Sequence, residues 1–398
     1  MRVSFVYPLV FLCGTSAASA AQNEFNPAIS LILQGQYADY SRDPEDYELP
    51  GFMLGGEAGL AEAGLGLGHG ELVLSSNIDD MFTGRLTLAI AEHEGETQTE
   101  LEEAYIETLG LGQGFTVKAG RFFSGLGYLN AQHAHAWDFA DAPLVYRALF
   151  GDSLIDDGVQ LRWLAPTPLF LQFGAEIGRG ERFPAGGAAN DGRGAHTLFV
   201  EIGGDVGVSH SWQVGLSRWS AEIAGRESGA HAHGGADEVP SFTGDSRIHA
   251  LDAVWKWAPQ GNYAERYFTL QFEYFQRKED GAVELIGSDP LEFSTYEGTQ
   301  RGGYVQAVYQ FRPAWRVGLR LDRLDADNRG SDDAVLAEAG LDDEGHTPRR
   351  VSLMIDYSRS EFSRIRLQYN RDESAPERDR QIYLQYVMSL GAHGAHQF

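Results

Sequence analysis

The sequence predicts an all-β fold, a transmembrane antiparallel barrel of about sixteen strands, on three observations. From Ala28 onward the apolar residues recur with period two rather than 3.6, as in half-buried strands. Connections are short after even-numbered segments and mostly long after odd-numbered ones, so one end of the sheet carries tight turns and the other large loops. Beyond the first twenty residues no run of about 18 apolar residues exists, so no transmembrane helix is expected.

In chain order the segments are 28–40, 63–76, 82–93, 98–109, 114–122, 157–165, 168–178, 196–206, 210–220, 247–258, 264–278, 301–312, 314–327, 348–358, 361–373 and 379–390. In the seventh, Leu169, Leu171, Phe173, Ala175 and Ile177 share one face while Gln172, Gly174 and Glu176 share the other. The thirteenth sets Trp315, Val317, Leu319 and Leu321 against Arg316, Gly318, Arg320 and Asp322, and the sixteenth alternates likewise from Ile382 to Leu390. The long connections are 41–62, 123–156, 179–195, 221–246, 279–300 and 328–347.

An even number of strands, apolar outward and polar inward, is the pattern of an outer-membrane barrel, which closes because an open edge in lipid would leave backbone groups unsatisfied. A secreted β-sandwich also alternates, but one of this length would need two or more domains, and no linker composition divides residues 21–398. The barrel is therefore expected as a single domain. Residues 1–20 read as a secretory signal peptide, with Arg2, an apolar stretch over 3–13 and the small-residue pattern Ala18-Ser19-Ala20. Cys13, the one cysteine, follows Leu12 where lipidation wants a small residue, and its loss with the signal leaves no thiol chemistry. Phe398 ends the chain on the parity of the apolar face, which resembles the signal by which outer-membrane barrels are recognised by the assembly machinery. The expected location is the outer membrane of a Gram-negative bacterium, in contact with lipid and lipopolysaccharide.

With 31 basic and 57 acidic residues the formal net charge is −26, which argues against a nucleic-acid partner and favours attraction of cations. The abundant aromatic residues separate the chain from disordered acidic proteins.

One stretch alternates nothing. Residues 121–158 carry Trp137, Phe139, Leu144, Val145, Tyr146, Leu149 and Phe150, too apolar and too long for a solvated loop. The expectation is that about 123–156 folds inward as a pore loop bearing His133, His135, Asp138, Asp141 and Arg147.

The architecture resembles a sixteen-stranded porin, in which the long loop after the fifth strand narrows the lumen. The hairpin ELEEAYIETLGLGQGFTVKAGRFFSGLG resembles the corresponding hairpin of the porins O and P, which pass phosphate or pyrophosphate. The phrases NPAISLILQGQYADYS, LPGFMLGGEAG, HAHAWDFADAPLVYRALFG, DDGVQLRWLAPT and MSLGAHGAHQF resemble proteobacterial outer-membrane proteins often labelled zinc-regulated TonB-dependent receptors. No Gly-rich plug precedes the first strand, and the length does not suffice for a plug and 22 strands. These resemblances imply a porin-like channel for small polar solutes, zinc or another divalent metal among them, and a homo-oligomer. An energy-coupled metal receptor, an outer-membrane esterase and a structural or adhesive barrel are the alternatives.

With the apolar face toward lipid, Lys118, Arg162, Glu176, Glu201, Arg316, Arg320, Asp322, Arg350, Asp356, Arg364 and Arg366 are expected to line the pore. Arginines gather on the thirteenth to fifteenth segments and carboxylates, with Asp252 and Glu273, on the seventh to eleventh, so the charges either set a transverse field or pair off to hold the wall. For metal, the candidates are His133 and His135, near Asp138 and Asp141, and His231 and His233, near Asp237 and Glu238, because imidazole with carboxylate suits zinc. Each pair also has a plain reading, hydrogen bonding to the wall for the first and a solvated loop for the second. His393 and His396 read as structural.

The phrase Phe150 to Gly158 resembles the nucleophile block of GDSL esterases, with Asp343 and His346 at the spacing of their Asp and His. That chemistry belongs to an α/β domain, and its G-x-N-D block is degraded here to Ala188-Ala189-Asn190-Asp191. No catalytic residue and no firm cofactor is expected. There is no P-loop, dinucleotide fingerprint or paired-cysteine site.

Overall fold

The computed structural model describes residues 27–55, 58–93, 96–186, 194–228, 238–288 and 290–391. The signal segment, Cys13, the degraded block Ala188 to Asp191, His231, His233, Asp237, His393, His396 and Phe398 lie outside them.

Strand β1 (Ala28–Tyr40) is followed by β2, in two collinear halves, Gly64–Leu67 and Gly70–Asn77, that both pair with β1. Then come β3 (Phe82–His93), β4 (Glu96–Thr108), β5 (Phe115–Phe123), β6 (Ile155–Leu164), β7 (Phe170–Gly178) and β8 (Ala195–Val206). The second half comprises β9 (His210–Glu227), β10 (Val239–Trp257), β11 (Tyr267–Ile286), β12 (Glu292–Arg312), β13 (Trp315–Gly330), β14 (Arg349–Ser360), β15 (Ser363–Glu373) and β16 (Asp379–Gly391). Each pairs antiparallel with its chain neighbours, and β16 returns to β1 from Ser30 opposite Gly391 to Tyr40 opposite Gln381. The result is a closed 16-strand antiparallel barrel of the outer-membrane type.

The expected parity holds. Phe173, Ile177, Val317, Leu319, Leu321, Ile382 and Leu384 face outward and exposed, while Glu176, Arg320, Asp322, Gln381 and Gln385 are buried inside. Near the short turns the outer face carries clustered aromatic residues, Trp163 stacked between Phe115 and Phe173 and Trp255 tilted against Phe268, as at a membrane interface. The chain belongs in the outer membrane. No helix of the described residues is long and apolar enough to cross a membrane.

Four strands run further than their alternation suggested. β9 reaches Glu227, β10 begins at Val239, β11 reaches Ile286 and β12 begins at Glu292, so 221–246 and 279–300 are largely hairpin rather than loop. The reason is a change of surroundings along each strand. On β11 the outward side chains pass from Leu270, Phe272 and Tyr274 to Lys278, Asp280 and Glu284, while the inward ones pass from Gln271 and Glu273 to Phe275, Val283 and Leu285, with Arg277 and Glu279 buried among them as an ion pair. The first outward polar row runs through register partners Arg218, His249, Gln276, Arg301 and Asp325, which marks where the wall leaves the lipid.

Above that row the lumen is filled by a largely apolar core that also buries the Arg226–Glu279 ion pair. Segment 124–154, with helix α1 (Leu144–Phe150), meets Leu49, Phe52, Met53 and Leu54 of the first loop, Leu336 on helix α2 (Asp333–Glu338) and wall residues Trp219, Phe242, Phe275 and Tyr296. This burial explains both the apolar composition of the inward segment and the inverted polarity of the wall around it.

Candidate functional site

The inward loop crosses the lumen, and each of its parts is tied to a different strand. At its start Glu176 on β7 accepts hydrogen bonds from Ser124 Oγ at 2.6 Å and the Gly125 amide at 2.8 Å. Glu273 on β11 accepts from the Tyr128 and Leu129 amides and from Tyr146 Oη at 2.6 Å, so one carboxylate joins the loop's first turn to α1.

On the opposite wall the arginines hold the loop rather than face open water. Arg320 on β13 and Arg350 on β14 donate to the Asp141 carboxylate at 2.7 and 2.9 Å and to the backbone around it, and Gln368 and Asn370 on β15 complete its shell. Arg364 and Arg366 donate to the carbonyls of His135 and Trp137, each at 2.6 Å. Arg316 bridges Asp138 at 2.8 Å and Asp356 at 2.5 Å, and Asp322 takes Arg320 at 3.1 Å. The expected pore-lining residues of β13 to β15 thus face inward beneath the loop, Arg316, Arg320 and Arg350 paired with carboxylates and Arg364 and Arg366 holding its carbonyls. Arg147 on α1 is likewise buried, donating to the Gly59 carbonyl at 2.9 Å.

Lys118, Arg162 and Glu201 do border open space. With Arg85, Glu103 and Gln160 they line a cavity of about 710 Å³ whose lining reaches the short-turn end of β6 to β9 and whose other boundary is the loop from Phe123 to Ala136. Arg162 pairs with Glu107 at 2.7 Å and Lys118 lies 3.6 Å from the same carboxylate, while Glu201 accepts from Gln172 at 3.0 Å. The lining carries both signs of charge.

Beside this cavity His133 and His135 meet residues that sequence reasoning missed. His133 Nε2 lies 3.0 Å from Glu103, and its Nδ1 lies 3.1 Å from Glu71 and 3.4 Å from Glu102. His135 Nδ1 is 2.6 Å from Glu71, and His69 Nε2 is 3.1 Å from Glu102. The structure thus separates His133 and His135 from Asp138 and Asp141, which bind arginines, and joins them to β2 and β4. Burial opposes a charge on His133, yet Glu102, Glu103 and Glu71 outweigh it and hold its pKa well above the usual imidazole value. The available sequence signal was the pair of glycines around His69 in Gly68-His69-Gly70-Glu71, which interrupts an alternating segment.

The esterase-like phrase begins where α1 ends. Gly151 ends α1 in the left-handed conformation at φ +60°, its amide and that of Asp152 closing on the carbonyls of Arg147 and Tyr146. Among the described residues no hydrogen bond joins Ser153 to His346, whose Nε2 lies 2.9 Å from the Glu373 carbonyl and so donates to it.

An uncharacterized protein of Aquifex aeolicus (strain VF5) is 31% identical over 407 residues, covering 95% of this chain and 81% of the relative. This chain belongs to that protein's family. No family model matches it. Among solved structures, an anion-selective porin from Comamonas acidovorans superposes with a TM-score of 0.56 at 11% identity, over 92% of this chain and 99% of that one. The outer membrane channel DcaP of Acinetobacter baumannii gives 0.53 at 12% identity, over 92% and 97%. OmpTdeltaL8 of Vibrio cholerae, an outer membrane protein lacking loop L8, gives 0.53 at 10%, over 92% and 99%. At such identities these likenesses establish the barrel fold and its outer-membrane type. They give no support to the zinc-regulated TonB-dependent label.

Proposed function

We propose that this chain is a porin-like channel for small polar solutes, non-enzymatic, with the loop 124–154 as its constriction. The observation that carries the reading is the cavity of about 710 Å³ inside a closed barrel, bounded by the inward loop and lined by both signs of charge. A lining of this kind, Lys118, Arg162 and Arg85 with Glu103 and Glu201, replaces part of a solute's hydration and passes polar molecules in preference to apolar ones. The apolar core above the loop leaves little room for bulky solutes. A divalent metal such as zinc is the solute class that the chain's acidity and the His–Glu cluster beside the cavity favour.

Planar-bilayer recording of the purified protein tests the reading. Small conductance steps are expected, and larger ones when the loop's anchor Asp141 is replaced by Ala. A barrel that inserts without conducting overturns the proposal, and liposome uptake of zinc, phosphate and a neutral sugar then ranks the solutes of a conducting one.

A further inference from the structure

We propose that His69, Glu71, Glu102 and His133 form a resident binding site for one divalent metal ion of the zinc class, tying the inward loop to β2 and β4. The inference rests on side-chain geometry and stands whether or not the barrel conducts.

The two carboxylates lie between the two imidazoles, one oxygen of each toward His69 and the other toward His133. His69 Nε2 lies 3.1 Å from Glu102 Oε1 and 3.5 Å from Glu71 Oε1, and His133 Nδ1 lies 3.1 Å from Glu71 Oε2 and 3.4 Å from Glu102 Oε2. Four ligands about 2.0–2.2 Å from a tetrahedral ion stand about 3.3–3.6 Å from one another; two of these four contacts fall in that range and two are 3.1 Å, slightly tighter. One ligand atom from each of His69, Glu71 and Glu102 lies within 4.8 Å of the others.

These contacts are not hydrogen bonds. His69 Nε2, Glu71 Oε2, Glu102 Oε2 and His133 Nδ1 are buried atoms without a hydrogen-bond partner, and Glu71 is 0% exposed. Such a cluster needs positive charge in the interior: without the ion it is carried by the imidazoles, and a divalent ion takes their protons' place and meets all four atoms at once.

The surrounding groups orient the same atoms. His133 Nε2 donates to Glu103 at 3.0 Å, which puts the ring proton there and turns the Nδ1 lone pair toward Glu71 and Glu102. Glu103 is braced by Arg85 at 2.8 Å and Thr87 at 3.1 Å. His135 Nδ1 holds Glu71 Oε1 at 2.6 Å, which fixes the carboxylate and turns Oε2 toward His133. A carboxylate behind an imidazole is the usual support of a metal ligand.

The backbone is bent to present the ligands. Thr87 faces Glu103 but Leu88 faces Leu101, so Glu102 is the extra residue of a bulge and points into the lumen beside Glu103. The pairing of β1 with β2 likewise shifts by one residue across Gly68 and His69. Bulges commonly re-aim side chains at functional sites. Two imidazoles with two carboxylates select a zinc-like ion over calcium or magnesium, which take oxygen ligands.

The test is calorimetric titration of the full metal-stripped barrel with Zn2+, paired with metal analysis, on protein whose β-sheet circular dichroism confirms folding. One ion per chain is expected. His69→Ala and Glu71→Gln should each weaken binding more than Glu103→Gln, whose expected loss is about 10- to 100-fold. His231→Ala with His233→Ala should leave this site's affinity unchanged. Absence of zinc binding in the wild type, unchanged affinity in both His69→Ala and Glu71→Gln, or equally tight Ca2+ binding overturns the proposal. His69, 27% exposed at its side chain, provides the variant least able to disturb folding.

Discussion

Asp141 in the inward loop and Arg350 on β14 meet at 2.9 Å with both side chains buried. Arg320 reaches the other oxygen of the same carboxylate at 2.7 Å, so one anion secures the loop to two strands. Replacing Asp141 by Ala takes the shared carboxylate from two buried guanidiniums and leaves them both leaning on Asp322, 3.1 Å from Arg320 and 3.6 Å from Arg350. The expected cost is about 3–5 kcal/mol, the usual penalty for removing one member of a buried ionic pair. Denaturant unfolding of Asp141→Ala measures it, and unchanged stability would show that the loop is held by its apolar core alone.

The same carboxylate sets an acid limit on the closed loop. Burial pushes the Asp141 pKa up, but Arg350, Arg320 and Arg147 outweigh burial and hold it well below the usual carboxylate range. A depressed native pKa gives a contribution fully present above the unfolded value of about 3.9 and lost only as the pH falls through the native one. Conductance should therefore stay flat from about pH 7 to pH 4 as far as this clamp is concerned, and rise only in stronger acid. Recordings of the wild type and Asp141→Asn across that range test this. A wild-type opening near neutral pH that Asp141→Asn abolishes would contradict the assignment.

The apolar half of the loop makes a separate contribution. Phe150 is buried against Tyr146 and Phe275, with ring centroids 5.4 Å from each. Phe150→Ala should cost about 3–5 kcal/mol, because the lumen wall is a closed sheet that cannot collapse into the space left behind. Thermal unfolding in detergent reads the loss, and a shift as small as that of an exposed control such as Phe362→Ala would place α1 outside the core.

The barrel was legible because lipid and lumen impose opposite chemistry on alternate residues, as Val317 and Leu319 against Arg316 and Arg320 show. The reach of β11 was not, since its outward positions from Lys278 to Glu284 meet water, where nothing requires them to be apolar. The loop's inward course was readable from Trp137 and Phe150, but its anchors were not. Arg320 was expected at the lumen and is there, yet alternation says nothing of Asp141 some 179 residues away lying across it. The cluster around His133 was half visible for a related reason. Glu102 and Glu103 are adjacent in sequence, and strict alternation would send them to opposite faces; the bulge that brings both inward exists only in the pairing with β3.

The phrase Gly151-Asp152-Ser153-Leu154 is best tested by separating its two readings. As a nucleophile block it needs Ser153 beside a basic imidazole, but His346 Nε2 donates to the Glu373 carbonyl. As a helix stop it needs Gly151, whose φ of +60° is strained for any residue with a Cβ. Ser153→Ala should therefore leave both stability and any background ester hydrolysis unchanged. Gly151→Ala should destabilise the barrel by about 1 kcal/mol, since the left-handed turn must form for the chain to leave α1 and enter β6. Denaturant unfolding of the two variants with a parallel assay on a short-chain ester separates the roles, and hydrolysis lost with Ser153 would restore the enzymatic reading.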